Sequence, residues 1–244
     1  MTQIWAHRGS STQAPENTLE AFELAIGQGA DGIELDVQLT ADGVVVVCHD
    51  ETTDRTSDAS GAITAMTLEE LRRANFNNRM DGFNCRIPTL AEVLDLIAGT
   101  DLRVNVELKN SIVAQPGLEA GVEATVAQSG LAAEAAERVV YSSFNHRSLE
   151  TLAAAGTHVP LGVLHVEPMV RAWEYARSFG ATALHPWFGS LAEDEIARAH
   201  DAGVAVHPWT VDEPEQMRSL AARGADAIIT NVPLVAREAL GLRQ

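Results

Sequence analysis

The feature that most constrains this chain is an alternation. Short apolar runs of extended character fall at residues 4–6, 32–37, 44–48, 102–108, 138–142, 160–164, 181–184, 204–207 and 227–229. Between most of them lie stretches of helical periodicity, at 19–28, 90–98, 117–129, 147–155, 169–179, 191–202, 214–223 and 234–240. A strand, a helix and another strand, repeated, require crossover connections, which build a parallel sheet with helices packed on it. About eight repeats in 244 residues favour a closed eight-stranded barrel over an open doubly wound sheet. The expected fold is a TIM (β/α)8 barrel. No linker or low-complexity segment divides it, so residues 1–244 read as one domain.

Local signals agree. Asn17 with Glu20, Thr67 with Glu70, Thr89 with Glu92 and Ser190 with Glu193 have the spacing of a capping box or its Asn variant. Gly29, Gly99, Gly130, Gly156, Gly180, Gly203 and Gly224 follow helical stretches, where a left-handed cap is expected. One stretch breaks the rhythm. Residues 51–87 are polar and irregular apart from a short helix signal at 67–74. They read as an insertion between the second strand unit and its helix, lying over the mouth of the barrel.

Charge limits the partners. Asp and Glu number 34 against 17 Lys and Arg, a formal net charge of -17. Such a field repels nucleic acid and anionic membranes, so neither a nucleic-acid partner nor stable membrane association is expected. An anionic substrate needs a local positive site, either a metal or placed Arg and Lys. Every cation but Lys109 is an arginine. The two cysteines, Cys48 and Cys85, have no CxxC spacing and read as buried reduced thiols. The opening MTQIWAHRG has no basic segment leading into an apolar one, and no apolar run reaches about 18 residues. A cytoplasmic protein without a signal peptide is expected.

The chemistry concentrates on two strands. In Ile33-Glu34-Leu35-Asp36-Val37 the period of a strand puts the apolar residues on one face and both carboxylates on the other. Helices cover the outside of a barrel, so the carboxylates turn inward, about 7 Å apart along the strand. Val104-Asn105-Val106-Glu107-Leu108-Lys109 repeats the pattern and sends Asn105, Glu107 and Lys109 inward. Charges on a solvated edge strand would explain one such strand; two matching strands point to a shared interior site. Buried carboxylates need compensation, and three of them suit a hard dication, Mg²⁺ or Ca²⁺, better than zinc.

Two histidines stand at strand ends, where barrel active sites assemble: His7 opens His7-Arg8-Gly9 and His49 opens His49-Asp50. Paired imidazoles can divide general acid and base roles near neutral pH. Arg8 and Lys109 supply the local cations, Arg as a planar fork and Lys as a point charge. His185, Trp209 and Phe188 fall near later strand ends and are candidates to line the substrate pocket. The chain contains no P-loop, GxGxxG, GxSxG or HExxH, against nucleotide hydrolysis, dinucleotide binding, serine esterase chemistry and the zincin arrangement.

Read in order, these residues resemble the glycerophosphodiester phosphodiesterase family. The matching segments are His7-Arg8-Gly9, Pro15-Glu16-Asn17-Thr18, Glu34-Leu35-Asp36, His49-Asp50, Asp54-Arg55-Thr56 and Ile87-Pro88-Thr89-Leu90. They continue with Glu107-Leu108-Lys109, Ser142-Ser143-Phe144, Trp209-Thr210-Val211 and Ile229-Thr230-Asn231. The resemblance implies a TIM barrel with an insertion after the second strand. It implies that Glu34, Asp36 and Glu107 bind the metal, that His7 and His49 are acid and base, and that Arg8 and Lys109 hold the phosphate. The implied activity is hydrolysis of glycerophosphodiesters to glycerol 3-phosphate and an alcohol. Two departures bear on the alcohol group: the family often has Asp where Asn231 stands, and an apolar strand end where His207-Pro208 stands.

Neither the metal, Mg²⁺ or Ca²⁺, nor the division of roles between the histidines follows from the sequence. The first nucleophile, water or the glycerol 2-hydroxyl, is open, and barrels of this kind occur as monomers and as homodimers. A phospholipase of similar barrel design and a metal-binding protein without catalysis are the alternatives. The polar insertion and acidic charge disfavour the first; the complete histidine and carboxylate set disfavours the second.

Overall fold

A computed structural model describes residues 1–242, so 243–244 of the expected domain lie outside the described residues. Among these residues the strands are β1 (Gln3–His7), β2 (Gly32–Leu39), β3 (Val45–Val47), β4 (Arg103–Leu108), β5 (Val139–Ser143), β6 (Leu161–His165), β7 (Ala183–Pro186), β8 (Ala205–Val206) and β9 (Ala227–Thr230). All but β3 run parallel, in the order β8-β7-β6-β5-β4-β2-β1-β9. The ends of this order meet through backbone bonds: Asp226 N–H donates to Val206 O (3.0 Å), Ile229 N–H to Pro208 O (3.0 Å) and Val211 N–H to Ile229 O (2.9 Å). The expected α/β barrel is therefore present and nearly closed. The run at 44–48 is not a barrel strand; β3 folds back antiparallel on β2, with Val47 opposite Val37.

The helices are α1 (Leu19–Gly27), α2 (Leu68–Leu71), α3 (Leu90–Ala98), α4 (Leu118–Gln128), α5 (Ala135–Arg138), α6 (His146–Ala154), α7 (Ala172–Ser178), α8 (Glu195–Asp201), α9 (Pro214–Ala222) and α10 (Pro233–Ala239). Thr67 and Thr89 cap α2 and α3 in complete capping boxes with Glu70 and Glu92, each worth about 1 kcal/mol. The other two expected caps are displaced. Thr18, not Asn17, caps α1, and Ser190 ends a short 3₁₀ turn ahead of α8. Among the described helices, none is long and apolar enough to cross a membrane.

Strand periodicity sorts the core into two shells. Ile33, Leu35 and Val37 of β2 and Val104, Val106 and Leu108 of β4 face outward, packing with Phe22, Leu94 and Val122 of the helices. Each such side chain, fully buried, contributes about 1.5–3 kcal/mol. Inside the barrel Trp5, Val140, Ala227 and Ile229 form a smaller cluster. The insertion has its own core of Val46, Cys48, Ile63, Leu71, Phe76 and Ile87. Both cysteines are buried free thiols, pushed up to about 12 by burial.

Candidate active site

The inward face of β2 and β4 builds the acidic centre. Asp36 pairs with Glu107 in the parallel register, and Glu34 with Asn105. All three carboxylates are buried, and one oxygen from each lies within 4.8 Å of the others. Burial, then repulsion from Asp36 and Glu107, pushes the Glu34 carboxyl well above the usual range; burial and Asp36 also raise Glu107. Burial opposes ionisation of Asp36 too, but Arg8, His49, Lys109 and Asn17 outweigh it and hold the carboxyl down at about 2. Asp36 Oδ1 has no hydrogen-bond donor. Three oxygen ligands, raised carboxyls and a free buried oxygen fit a hard dication, whose charge relieves the repulsion.

The cations sit against this cluster. Lys109 Nζ donates to Glu107 Oε1 at 2.9 Å and lies 3.9 Å from Asp36 Oδ1. Arg8 pairs with Glu16 at 3.0 Å, and its Nε is 3.2 Å from Asp36 Oδ2. The turn that presents Arg8 is tight: Arg8 has φ 57° and Gly9 φ 83°. A Cβ on Gly9 would meet the Ala21 backbone at 2.6 Å, which explains a glycine after His7-Arg8.

The two imidazoles have different partners. His7 is half-buried, and its Nδ1 lies 2.7 Å from Asn231 Oδ1 while Nε2 is 3.9 Å from Glu34 Oε2. Burial first, then Arg8, lowers its pKa to about 4, so the ring is neutral at pH 7. His49 is more exposed, and its Nδ1 lies 2.7 Å from the Asp50 carboxylate. Arg55 holds Asp50 through two hydrogen bonds of 2.7 and 2.9 Å, and reaches Glu16 through two more. Hydrogen bonding to Arg55 outweighs burial and depresses the Asp50 carboxyl.

These groups open into one cavity of about 180 Å³, lined by His7, Arg8, Glu34, His49, Asn105, Glu107 and Lys109 on its polar side. Phe144, Leu164, Trp209 and Ile229 line its apolar side. Larger hollows, of about 670 and 750 Å³, lie between α7 and α8 and at the opposite end of the barrel, away from the carboxylates.

Of the residues expected in the pocket, Trp209 lines it but His185 and Phe188 do not. His185 is fully buried below the cavity, with its Nε2 2.9 Å from His207 Nδ1 and its carbonyl accepting from Trp209 Nε1. Phe188 lies tilted against Trp187 and packs against the outer core. Leu164 also lines the pocket and carried no sequence signal, while Asn105 and Phe144, and the partners Glu16, Asn17, Asp50, Arg55 and Asn231, stood on the inward face or in the matching segments without a site role assigned to them. For Asn105 the inward alternation was the signal; the partners' contacts span distant segments.

A sequence profile of the Glycerophosphoryl diester phosphodiesterase family matches residues 7–235. The chain belongs to that family. A glycerophosphodiester phosphodiesterase of Caldanaerobacter subterraneus subsp. tengcongensis is 41% identical over 236 residues, covering 95% of each chain. One from Bacillus altitudinis is 36% identical, covering 96% of each. Among solved structures, an Oleispira antarctica phosphodiesterase in complex with the product sn-glycerol-3-phosphate aligns with a TM-score of 0.86 and 28% identity, over 99% of this chain and 97% of that one. The matched span includes the positions of both histidines and all three carboxylates, and the glycerophosphodiester phosphodiesterases among the relatives make the chain an enzyme of the phosphodiester hydrolase class.

Proposed function

We propose that this enzyme hydrolyses glycerophosphodiesters to glycerol 3-phosphate and an alcohol by histidine acid–base catalysis around a divalent cation. The observation that carries the reading is the convergence of Glu34, Glu107, His7, His49, Arg8 and Lys109 on one cavity, with Asp36 buried behind it and one of its oxygens within 4.8 Å of those of Glu34 and Glu107. Glu34, Asp36 and Glu107 would hold Mg²⁺ or Ca²⁺. A dication held there would supply positive charge to offset the negative charge that grows on the phosphate during reaction.

The partners of the two rings divide their roles. His7, bonded to a neutral amide and half-buried, is the base: its Nε2 takes the proton of the nucleophile, either water, which gives glycerol 3-phosphate directly, or the glycerol 2-hydroxyl, which gives a cyclic phosphate that a water then opens to glycerol 3-phosphate. His49, whose Nδ1 lies 2.7 Å from the Asp50 carboxylate at the mouth of the site, is the acid and gives a proton to the leaving alcohol oxygen. Arg8 and Lys109 orient the phosphate. His7→Ala and His49→Ala are each expected to cost about 10²–10⁴ in rate. The substrate is the only partner this reading needs; one domain over 1–244, working in the cytoplasm as monomer or homodimer, without nucleic acid or stable membrane association, is consistent with it.

The deciding experiment is release of glycerol 3-phosphate with and without a chelator. Release that stops with chelator and returns with Mg²⁺ or Ca²⁺ supports the proposal. Release untouched by chelator overturns the metal, and no release from any glycerophosphodiester overturns the substrate class.

One observation favours a second reading of the alcohol side. Exposed Ile112 and Val113 follow β4 and Val166 and Val170 follow β6, two strands that border the cavity, and exposed Trp187 follows β7 at the same end of the barrel. An apolar rim there fits a substrate carrying a hydrocarbon chain. Comparing kcat/KM for glycerophosphocholine and lysophosphatidylcholine separates the two readings.

A further inference from the structure

We infer that Asp212 and Asn231 are positioning residues that lock His7 in its Nδ1–H tautomer and so keep the electron pair of Nε2 facing the acidic centre. The inference deepens the reading of His7 as the proton acceptor and rests on it for its catalytic consequence, but its structural core is independent.

Asp212 stands six residues beyond β8. Val211 N–H donates to Ile229 O and ties this segment to β9. Asp212 then gathers three donors. Its Oδ1 accepts from the Thr230 hydroxyl at 2.9 Å and from Asn231 N–H at 2.8 Å, and its Oδ2 accepts from Asn231 Nδ2 at 2.7 Å. A carboxylate only accepts, so the Asn231 amide has one favourable orientation, with its NH₂ toward Asp212 and its oxygen away. A flipped amide would set its oxygen against the Asp212 carboxylate.

That oxygen meets His7 Nδ1 at 2.7 Å and the Ser11 hydroxyl at 3.0 Å. An amide oxygen cannot donate, so His7 Nδ1 must carry the hydrogen. The lone pair of the neutral ring is left on Nε2, the nitrogen 3.9 Å from Glu34 Oε2. A proton taken at Nε2 leaves the Nδ1–H···Oδ1 bond in place, so the ring does not reorient during transfer. Asn231 is uncharged, and what passes from Asp212 to His7 is orientation rather than charge. Asp50 acts on His49 differently, by direct contact of carboxylate and ring.

Exchange of the two side chains provides the test. In Asp212→Asn, the Asn231 amide loses the carboxylate that fixes it and can turn its NH₂ toward His7, which then favours the Nε2–H tautomer. The double variant combines Asp212→Asn with Asn231→Asp. There the oxygen of the introduced amide can accept from the Thr230 hydroxyl and from the backbone N–H of position 231. Its NH₂ can donate to the introduced carboxylate, which in turn can accept from His7 Nδ1–H. Every bond is kept and one is reversed.

Nitrogen-15 spectra of histidine-labelled protein at neutral pH read the tautomer directly. The expected result is Nδ1–H for His7 in the native chain and in the double variant, with Nε2–H appearing in Asp212→Asn. Kinetically, Asp212→Asn is expected to lower kcat by about 10²-fold with KM within about twofold, and the double variant to recover most of that loss. A native His7 carrying its hydrogen on Nε2 overturns the inference. So does a folded Asp212→Asn variant with native kcat, or a double variant no faster than the single one. Loss of less than tenfold in His7→Ala would instead remove the proton-transfer role of His7, while the spectra would still decide the tautomer.

Discussion

Lys109 donates to Glu107 from two residues further along the chain, just past the end of β4, so the chain's single lysine and one of its three clustered carboxylates neutralise each other inside the barrel. The pair is buried, and Asp36 adds to the attraction; together they overcome burial and raise the lysine pKa. Lys109→Met is expected to reduce kcat/KM by about 10²-fold, the scale of losing one preorganised charge at a transition state. Steady-state kinetics on a glycerophosphodiester measure it, and a change under threefold would place Lys109 outside the phosphate site.

The acidic cluster predicts coupling between metal and stability. A dication at about 100 times its Kd should add about 2.7 kcal/mol to the native chain by mass action. Glu34→Gln removes a buried carboxyl whose ionisation burial and neighbouring carboxylates oppose. The variant should therefore melt no lower than the native chain without metal, yet lose most of the metal-induced rise. Thermal melts with chelator, Mg²⁺ and Ca²⁺ make the comparison.

Stability should fall with acid in two windows. His7 and His207 are both held at about 4, below the 6.5 of a free imidazole, chiefly by burial. Their contribution is complete above pH 6.5 and is lost as pH falls toward 4, because the unfolded chain takes up protons that the folded rings refuse. For His7 the full loss is on the order of 3 kcal/mol. Asp36, held at about 2, adds a separate loss only below the ordinary carboxylate value of 3.8. Denaturant midpoints at pH 7 and pH 5 should differ clearly, and His207→Asn should shrink the difference.

Arg55 links the insertion to the mouth through Asp50 and Glu16. It is 44% exposed at the side chain, so solvent limits its stabilising effect to about 1 kcal/mol. Its removal should act mainly on orientation: Arg55→Ala frees Asp50 and loosens His49. A fall in kcat of about tenfold with a melting temperature within a few degrees is expected, and a large melting shift with native kcat would reverse that reading.

Much of this was legible in the sequence because it depends on local periodicity. Alternation within residues 33–37 and 104–109 sends Glu34, Asp36, Glu107 and Lys109 inward, and the barrel brings the two strands into register. Capping spacing located α2 and α3, where Thr67 and Thr89 have open backbone ahead of them. It failed at Asn17, whose φ of 58° belongs to the turn before Thr18, and at Ser190, drawn into a 3₁₀ turn. His185 shows another limit: a strand end does not say which layer of the interior a ring enters, and this one lies a layer too deep. Contacts such as Asp212 to Asn231 or Arg55 to Glu16 join segments whose approach only the closed fold defines.

The rings of Trp5, His185 and His207 lie against one another beneath the cavity, with Trp5 and His207 centroids 4.6 Å apart and those of the two histidines 4.8 Å apart. This aromatic plug makes the barrel a cul-de-sac. Reactant enters and both fragments depart by a single doorway, so the alcohol must clear it before glycerol 3-phosphate can follow, or the reverse. Product still held there would stand in the way of the next substrate.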